Sequence, residues 1–178
     1  MSETAQQYIE RMLAFVGKRD PVQVLRGTAS AIAVLIAERS VDDLRWTTSP
    51  ERWSASAIVA HLADAEVVAS YRVRMILASP GVAIQAFDQN AWAAAFRYAE
   101  QSASASLLVF RTLRESWLNL LAGTDDSWLD RYGMHQERGK ETVRHLLRLY
   151  AGHDLNHLQQ IARILDERDR ARTAAPSA

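Results

Sequence analysis

The sequence predicts an all-α protein, a four-helix bundle with short extra helices. The 178 residues contain only 4 Pro and 7 Gly. Apolar residues recur at helical spacing over four long segments, and no segment shows the alternating pattern of a half-buried strand. We therefore expect no sheet. A single domain is predicted over residues 1–170, followed by a disordered tail over residues 171–178.

The long helices are predicted near residues 21–38, 54–77, 102–122 and 141–168. Asp20 and Pro21 begin the first, because Asp is a favoured N-cap and Pro fits the first helical position. Ser54 is the expected N-cap of the second helix. Gly123 follows the third as a C′ residue.

Shorter elements are expected between these helices. One short helix is predicted over residues 3–16, and another is predicted to be capped by Asp88 or Asn90. Residues 40–52 and 125–140 are predicted as loops, since both are rich in the residue types that favour turns.

Composition excludes several kinds of site. The chain has no Cys, so any metal must be held by His, Asp or Glu, and no thiol nucleophile can come from the protein itself. A formal net charge of zero gives no electrostatic footprint for nucleic acid or an anionic membrane. The first residues do not resemble a secretory signal, and no apolar run approaches the ~20 residues that span a bilayer. We expect a cytoplasmic protein without nucleic-acid or membrane partners.

A histidine pair marks the last long helix. His153 and His157 lie one above the other on one helix face, with Cβ atoms roughly 6 Å apart, so both can reach one metal ion. The same face carries apolar residues, so the imidazoles point towards the interior; these are Leu146, Tyr150, Ile161 and Ile164. The pair alone is a weak pattern, because exposed pairs and hydrogen-bonded core histidines also produce it.

His61 is the natural third ligand. It lies beside Leu62 on the interior stripe of another long helix, and facing helices of a bundle commonly build metal sites. Three neutral imidazoles leave a coordination position open, which is the arrangement of catalytic rather than structural zinc sites.

Several short motifs occur in a definite order and spacing. They are Trp53-Ser54, Ile58-Val59-Ala60-His61-Leu62-Ala63-Asp64-Ala65-Glu66, Asp88-Gln89-Asn90-Ala91-Trp92, and Tyr150 followed by His153-Asp154, His157 and Gln159-Gln160-Ile161. Together these motifs resemble the DinB-like (DNA-damage-inducible) superfamily over roughly residues 8–165. The resemblance implies a four-helix bundle, usually homodimeric, that holds a divalent metal through His61, His153 and His157.

The family includes transferases and isomerases that use low-molecular-weight thiols such as bacillithiol and mycothiol, and many members with no known activity. Because this chain has no Cys, such a thiol would have to be diffusible, and a metal would lower its pKa. An open three-histidine site can instead activate water for hydrolysis. The sequence does not choose between these reactions. Zinc is the expected metal, with nickel or iron as alternatives.

Other polar and aromatic residues are candidates for the same site. Asp64, one turn from His61, could act as an acid, a base or a hydrogen-bond partner, or could be a solvated carboxylate. Arg72 and Trp92 are candidate substrate-binding residues, although a surface arginine and a core tryptophan are the simpler interpretations. Asp154 could orient a histidine. His135 could approach the triad from its loop.

Three functional hypotheses remain open at this point. The chain is a metal-dependent enzyme that uses a thiol or activated water, a non-catalytic metal-binding or stress-related structural bundle, or a metal-free bundle whose histidines only pack. We also expect a homodimer, through apolar residues such as Trp117 and Leu118 that one bundle would leave uncovered.

Overall fold

The computed structural model describes residues 3–49 and 51–174. The α-helices are α1 (Ala5–Val16), α2 (Pro21–Ile36), α3 (Val41–Arg45), α4 (Ala55–Ala78), α5 (Gln89–Ala95), α6 (Ala103–Ala122) and α7 (Val143–Ala174). The strands are β1 (Ala83–Ile84), β2 (Tyr132–His135) and β3 (Gly139–Thr142), and single 3₁₀ turns cover Tyr98–Glu100 and Asp126–Asp130. No helix within the described ranges is both long and apolar enough to cross a membrane.

Four long helices form a closed ring, which confirms the predicted four-helix bundle. Helix α4 packs on α6, α6 on α2, α2 on α7, and α7 on α4, while α1 packs along α7. The predicted caps Asp20 and Ser54 are in place, because their side chains accept hydrogen bonds from the backbone N–H groups of Val22 and Ala57. Ser102 caps α6 in the same way by accepting from the Ala105 N–H group. These bonds satisfy donors that the first helical turn leaves unpaired.

The first half of α4 is buried on every side. All residues from Ser54 to Ala63 are buried, and four of those ten are alanines. Small side chains let neighbouring elements approach α4 all around, so its apolar surface is wider than the single stripe expected from the sequence. His61 therefore lies in the interior of the molecule.

A glycine allows the close approach of α1 and α7. A Cβ added at Gly152 would fall within 2.6 Å of the carbonyl carbon of Met12, so only glycine fits there. This contact brings Tyr8 and Arg11, on α1, to the side of the molecule where His153 lies.

The prediction of no sheet was wrong. A three-stranded sheet has β2 in the middle, parallel to β1 and antiparallel to β3. The loop predicted over residues 125–140 is in fact a 3₁₀ turn and most of this hairpin. Only short strands form here, so the period-two signal is too brief to detect. The sheet still has a definite structural effect, because it brings β2, which carries His135, against α4 and places the Gln85 carbonyl, just after β1, beside Arg72 of α4.

Two further predictions need correction. Residues 40–52 contain the short helix α3, which Ser40 caps by accepting from the Asp43 N–H group; Pro50 lies outside the described residues. The predicted tail begins too early, since residues 171–174 continue α7; residues 175–178 lie outside the described part of the chain.

The apolar residues expected to be uncovered are buried within one chain. Trp117 is 1% exposed and Leu118 is 5% exposed. They therefore give no support to a dimer interface, although apolar side chains elsewhere on α6 are exposed, namely Leu108, Val109 and Leu120.

Candidate metal centre

Three histidines converge where α4 crosses α7. One ligand nitrogen from each of His61, His153 and His157 lies within 4.8 Å of the other two. The Nε2 atoms of His61 and His153 are 3.0 Å apart. Nitrogens that share one ion at ~2.1 Å are separated by about 3.0–3.4 Å. The structure thus brings together the three residues that the sequence singled out.

Each imidazole has a different neighbour on its other side. His157 Nδ1 lies 3.0 Å from Gln160 Oε1, which only accepts, so Nδ1 carries the proton and Nε2 keeps its lone pair. Trp53 packs on His61, with ring centroids 4.9 Å apart. His153 Nδ1 lies 4.0 Å from Asp154 Oδ1, too far for a hydrogen bond. The Nδ1 atoms of His61 and His153 are buried without a partner in the described structure.

The site keeps two of its histidines neutral. Burial, reinforced by the neighbouring histidines, lowers the pKa of His61 to about 2. Burial is also the main cause that lowers the pKa of His157 to about 3. A metal binds the unprotonated imidazole, so these ligands need not lose a proton at neutral pH.

A buried ion network supports the triad from behind. The Arg114 guanidinium binds Glu66 at 2.7 and 2.8 Å, Asp154 at 2.7 and 3.2 Å, and the Leu25 carbonyl at 3.0 Å. Trp117 Nε1 donates to Glu66 at 2.7 Å. Burial alone would raise the pKa of Asp154, but the charge and hydrogen bonds of Arg114, together with the neighbouring His153, outweigh it and hold that pKa below its usual range. Burial dominates for Glu66 and raises its pKa.

Two cavities meet at the triad. The first, about 420 Å³, opens from His153 and His157 and carries charges of both signs along its wall; these belong to Glu3, Arg11, Glu51, Arg52, Arg163 and Glu167. The second, about 290 Å³, reaches His61 and His153 from the side of the sheet. Both cavities include His153, Tyr8 and Gln89 in their walls.

The structure separates the remaining candidates. Asp64 accepts a 2.6 Å hydrogen bond from the Tyr98 hydroxyl and lines neither of the two cavities at the triad. Trp92 packs against Phe87, with tilted rings whose centroids are 4.9 Å apart, and lines a separate cavity. Arg72, by contrast, is buried and lines the second cavity together with His61 and His153.

Sequence reasoning identifies only part of the residues that shape the site. His135, which the sequence suggests could approach the triad from its loop, is buried in the wall of the second cavity. Arg114 was not considered at all, although an arginine between Phe110 and Trp117 on an apolar helix face is a recognisable signal of a buried ion pair. Gln160 could have been found from its position, because i and i+3 side chains are neighbours on a helix.

Comparison with known proteins finds relatives that are similar to this chain in sequence. One, from Oceanobacillus iheyensis, is named "Putative metal-dependent hydrolase" and is 25% identical over 117 residues, covering 66% of this chain and 67% of its own. Another, from Geobacillus kaustophilus, has the same descriptive name and is 24% identical over 142 residues, covering 79% and 80%.

A solved structure supports the fold. YfiT from Bacillus subtilis, described as "a probable metal-dependent hydrolase with an unusual four-helix bundle topology", superposes with a TM-score of 0.75 at 21% identity, over 98% of this chain and 92% of that one. The family model described as the DinB superfamily matches residues 25–161. Because that match spans well over half of the 178 residues, the protein belongs to the DinB superfamily.

Proposed function

We propose that this protein is a metal-dependent hydrolase whose divalent ion is held by His61, His153 and His157. The observation that carries the proposal is the convergence of three buried imidazoles at the junction of two cavities. The names of the two curated relatives support the same chemistry.

The donor set fits a divalent ion. Imidazole nitrogens suit zinc, nickel and iron, and we propose zinc first. The facing Nε2 atoms of His61 and His153 provide two lone pairs for one ion, and the Gln160 contact leaves the Nε2 lone pair of His157 available. When bound, an ion with three imidazole ligands supplies a Lewis acid and a water of lowered pKa.

The chain's own groups supply position and access. Trp53 and Gln160 restrict the orientations of two imidazoles, and the Arg114 network fixes the helix segment that carries His153. The two cavities give room for a substrate on one side of the triad and for water on the other. Asp64 has no part in the proposed chemistry.

A thiol-dependent transferase is the second candidate. The first cavity favours it, because a volume of about 420 Å³ with charges of both signs suits a polar low-molecular-weight thiol. The thiol would have to come from solution, since the chain has no Cys. The homodimer and the cytoplasmic location expected from the sequence stay predictions.

Metal content of matched variants tests the site. Wild-type protein without an affinity tag should bind one zinc per chain. His157→Ala should lose most of this affinity, because two imidazoles hold an ion poorly against water. His145→Ala is the matched control: it lies on the same helix, is half-buried and is outside the triad. Full zinc stoichiometry in His157→Ala would contradict the proposal.

A turnover assay in ¹⁸O-labelled water separates the reactions. We expect the zinc-loaded protein to cleave members of an ester and amide panel, to incorporate ¹⁸O into the acid product without added thiol, and to lose this activity in His157→Ala. A strict requirement for thiol, with a thioether product, would favour the transferase. Tight zinc binding without turnover of any panel member would favour the non-catalytic bundle over the hydrolase.

A further inference from the structure

Arg72 is a buried cation without a carboxylate partner. Arg72 is 6% exposed, and its Nη2 donates to the Gln85 carbonyl at 2.7 Å. No carboxylate of residues 3–49 or 51–174 lies within ion-pair distance of it. Two other buried or half-buried arginines near the site differ, because Arg114 binds two carboxylates and Arg138 binds Glu141. Buried charges in proteins are normally paired, so Arg72 is prepared for a partner that comes from outside the chain.

His135 presents a second donor beside Arg72. The backbone N–H groups of Glu137 and Arg138 donate to its Nδ1 at 3.1 and 3.3 Å. Nδ1 is therefore an acceptor, and in the neutral ring Nε2 must carry the proton. That Nε2–H lies 3.5 Å from Arg72 Nη2, which is also a donor. Two donors placed side by side need a common acceptor.

The Tyr150 hydroxyl is a third polar group in this place. It is buried and has no hydrogen-bond partner in the described structure. Tyr150, Arg72 and His135 line the same cavity of about 290 Å³, which also reaches His61 and His153. Burial raises the pKa of Tyr150, and the nearby charge of Arg72 offsets only part of this effect.

We propose that Arg72, His135 and Tyr150 form a binding site for a carboxylate group of the substrate. A guanidinium, an imidazole N–H and a phenol O–H together offer one positive charge and several donors, which match the lone pairs of a single carboxylate. A dianionic phosphate fits less well, because Asp88 and Glu137 line the same cavity. The inference gives the proposed hydrolase a substrate class: esters or amides that carry a free carboxylate.

The carboxylate site is a substrate site only if the proposed hydrolase function holds. Carboxylate binding itself can be tested independently of that function. Benzoate and its neutral isostere benzamide are suitable probes, because Phe87 and Leu149 also line the cavity. Calorimetric titrations are made with metal-free and zinc-loaded protein. We expect benzoate to bind both forms, at least tenfold more tightly than benzamide, and phenyl phosphate to bind more weakly than benzoate.

Variants assign the binding to these residues. Arg72→Gln should weaken benzoate about 10–100-fold, as expected for hydrogen bonds to a charged group. Tyr150→Phe keeps the ring and should weaken it about 2–10-fold. Arg74→Gln, an exposed position on the same helix whose guanidinium contacts Ser70 and Ser116, should leave the affinity unchanged. Circular dichroism and zinc stoichiometry verify that each variant is folded. If Arg72→Gln does not fold, the benzoate affinity of Tyr150→Phe decides whether these residues form the carboxylate site.

The His135 imidazole gives a direct spectroscopic signal of carboxylate binding. In ¹⁵N spectra of the imidazoles, benzoate should shift the His135 Nε2–H resonance of metal-free protein, and benzamide should not. Equal benzoate affinity in wild-type protein and in Arg72→Gln would overturn the inference, and so would no benzoate binding at all. Benzoate binding that requires zinc would identify benzoate as a ligand of the ion, which overturns the carboxylate site and leaves the hydrolase proposal intact. If wild-type protein binds benzoate but does not bind zinc, the carboxylate site is supported and the hydrolase proposal is contradicted.

Discussion

Replacing Arg114 by Met should destabilise the protein more than any exposed substitution on the same helix. The change removes five hydrogen bonds, two to Glu66, two to Asp154 and one to the Leu25 carbonyl. It leaves two carboxylates, each with a side chain that is 1% exposed, without their cation. Breaking a buried ion pair in this way typically costs about 3–5 kcal/mol of unfolding free energy.

The size of this effect is measurable by thermal or denaturant unfolding of metal-free protein. In a domain of this length each kcal/mol corresponds to about 2–4 °C in Tm, so the expected decrease is about 6–20 °C. Arg111→Met, one turn earlier on α6 and exposed, is the matched control and should change stability by less than about 0.5 kcal/mol.

The pH dependence of this variant identifies the cause. Without Arg114, the folded-state pKa of Asp154 should rise above its unfolded value, and that of Glu66, which burial already raises, should rise further. A group whose folded pKa is raised stabilises the folded state at low pH, and this stabilisation is lost as the pH rises. The unfolding free energy of Arg114→Met should therefore fall further below that of the wild type at pH 8 than at pH 5. A loss below about 1 kcal/mol, or a deficit that does not change with pH, would refute the role of the network.

Three further predictions concern the helix contact, the triad and association. Gly152→Ala should lower the free energy of chemical unfolding by more than about 2 kcal/mol, because the added Cβ would collide with the Met12 backbone. Gly27→Ala is the control: its Cβ meets open space, so the change should be neutral or stabilising by up to ~1 kcal/mol. Equal effects of the two substitutions would contradict the close approach of α1 and α7. His61 and His157 have folded pKa values lowered to about 2 and about 3, so protons bind mainly to the unfolded state as pH falls below about 6.5. Metal-free protein should then lose up to about 1.4 kcal/mol per pH unit for each histidine, with a shallower slope in His157→Ala, and a flat profile between pH 6.5 and 5 would contradict their neutrality. If α6 forms a homodimer interface, light scattering should show a dimer that Val109→Glu converts to a 20.0 kDa monomer without changing its helicity, while a wild-type monomer at micromolar concentration would exclude it.

The bundle could be predicted because its information is local. Long segments with helical periodicity, Asp20 and Ser54 as caps, and the spacing of His153 and His157 are all visible within one or two turns. The convergence of His61 with that pair needed only one tertiary assumption, that both interior stripes face the same core.

The rest of the site depends on contacts between distant segments. Arg114 meets Asp154 across 40 positions of sequence, and His135 approaches Arg72 across 63. The latter contact needs a hairpin whose strands have four residues each, too short for a period-two signal. Asp64 shows the limit of spacing alone: its distance from His61 along the helix made it a candidate for the site, and in the folded chain its carboxylate accepts a hydrogen bond from Tyr98.

X-ray absorption spectroscopy at the zinc edge, on protein loaded with one equivalent of zinc, tests the central claim most directly. The account predicts three imidazole nitrogens at about 2.0–2.1 Å from the ion in wild-type protein and in His145→Ala, with at least one imidazole fewer in His157→Ala. A first shell made only of oxygen, or an imidazole count that is the same in all three proteins, would contradict a metal centre formed by His61, His153 and His157.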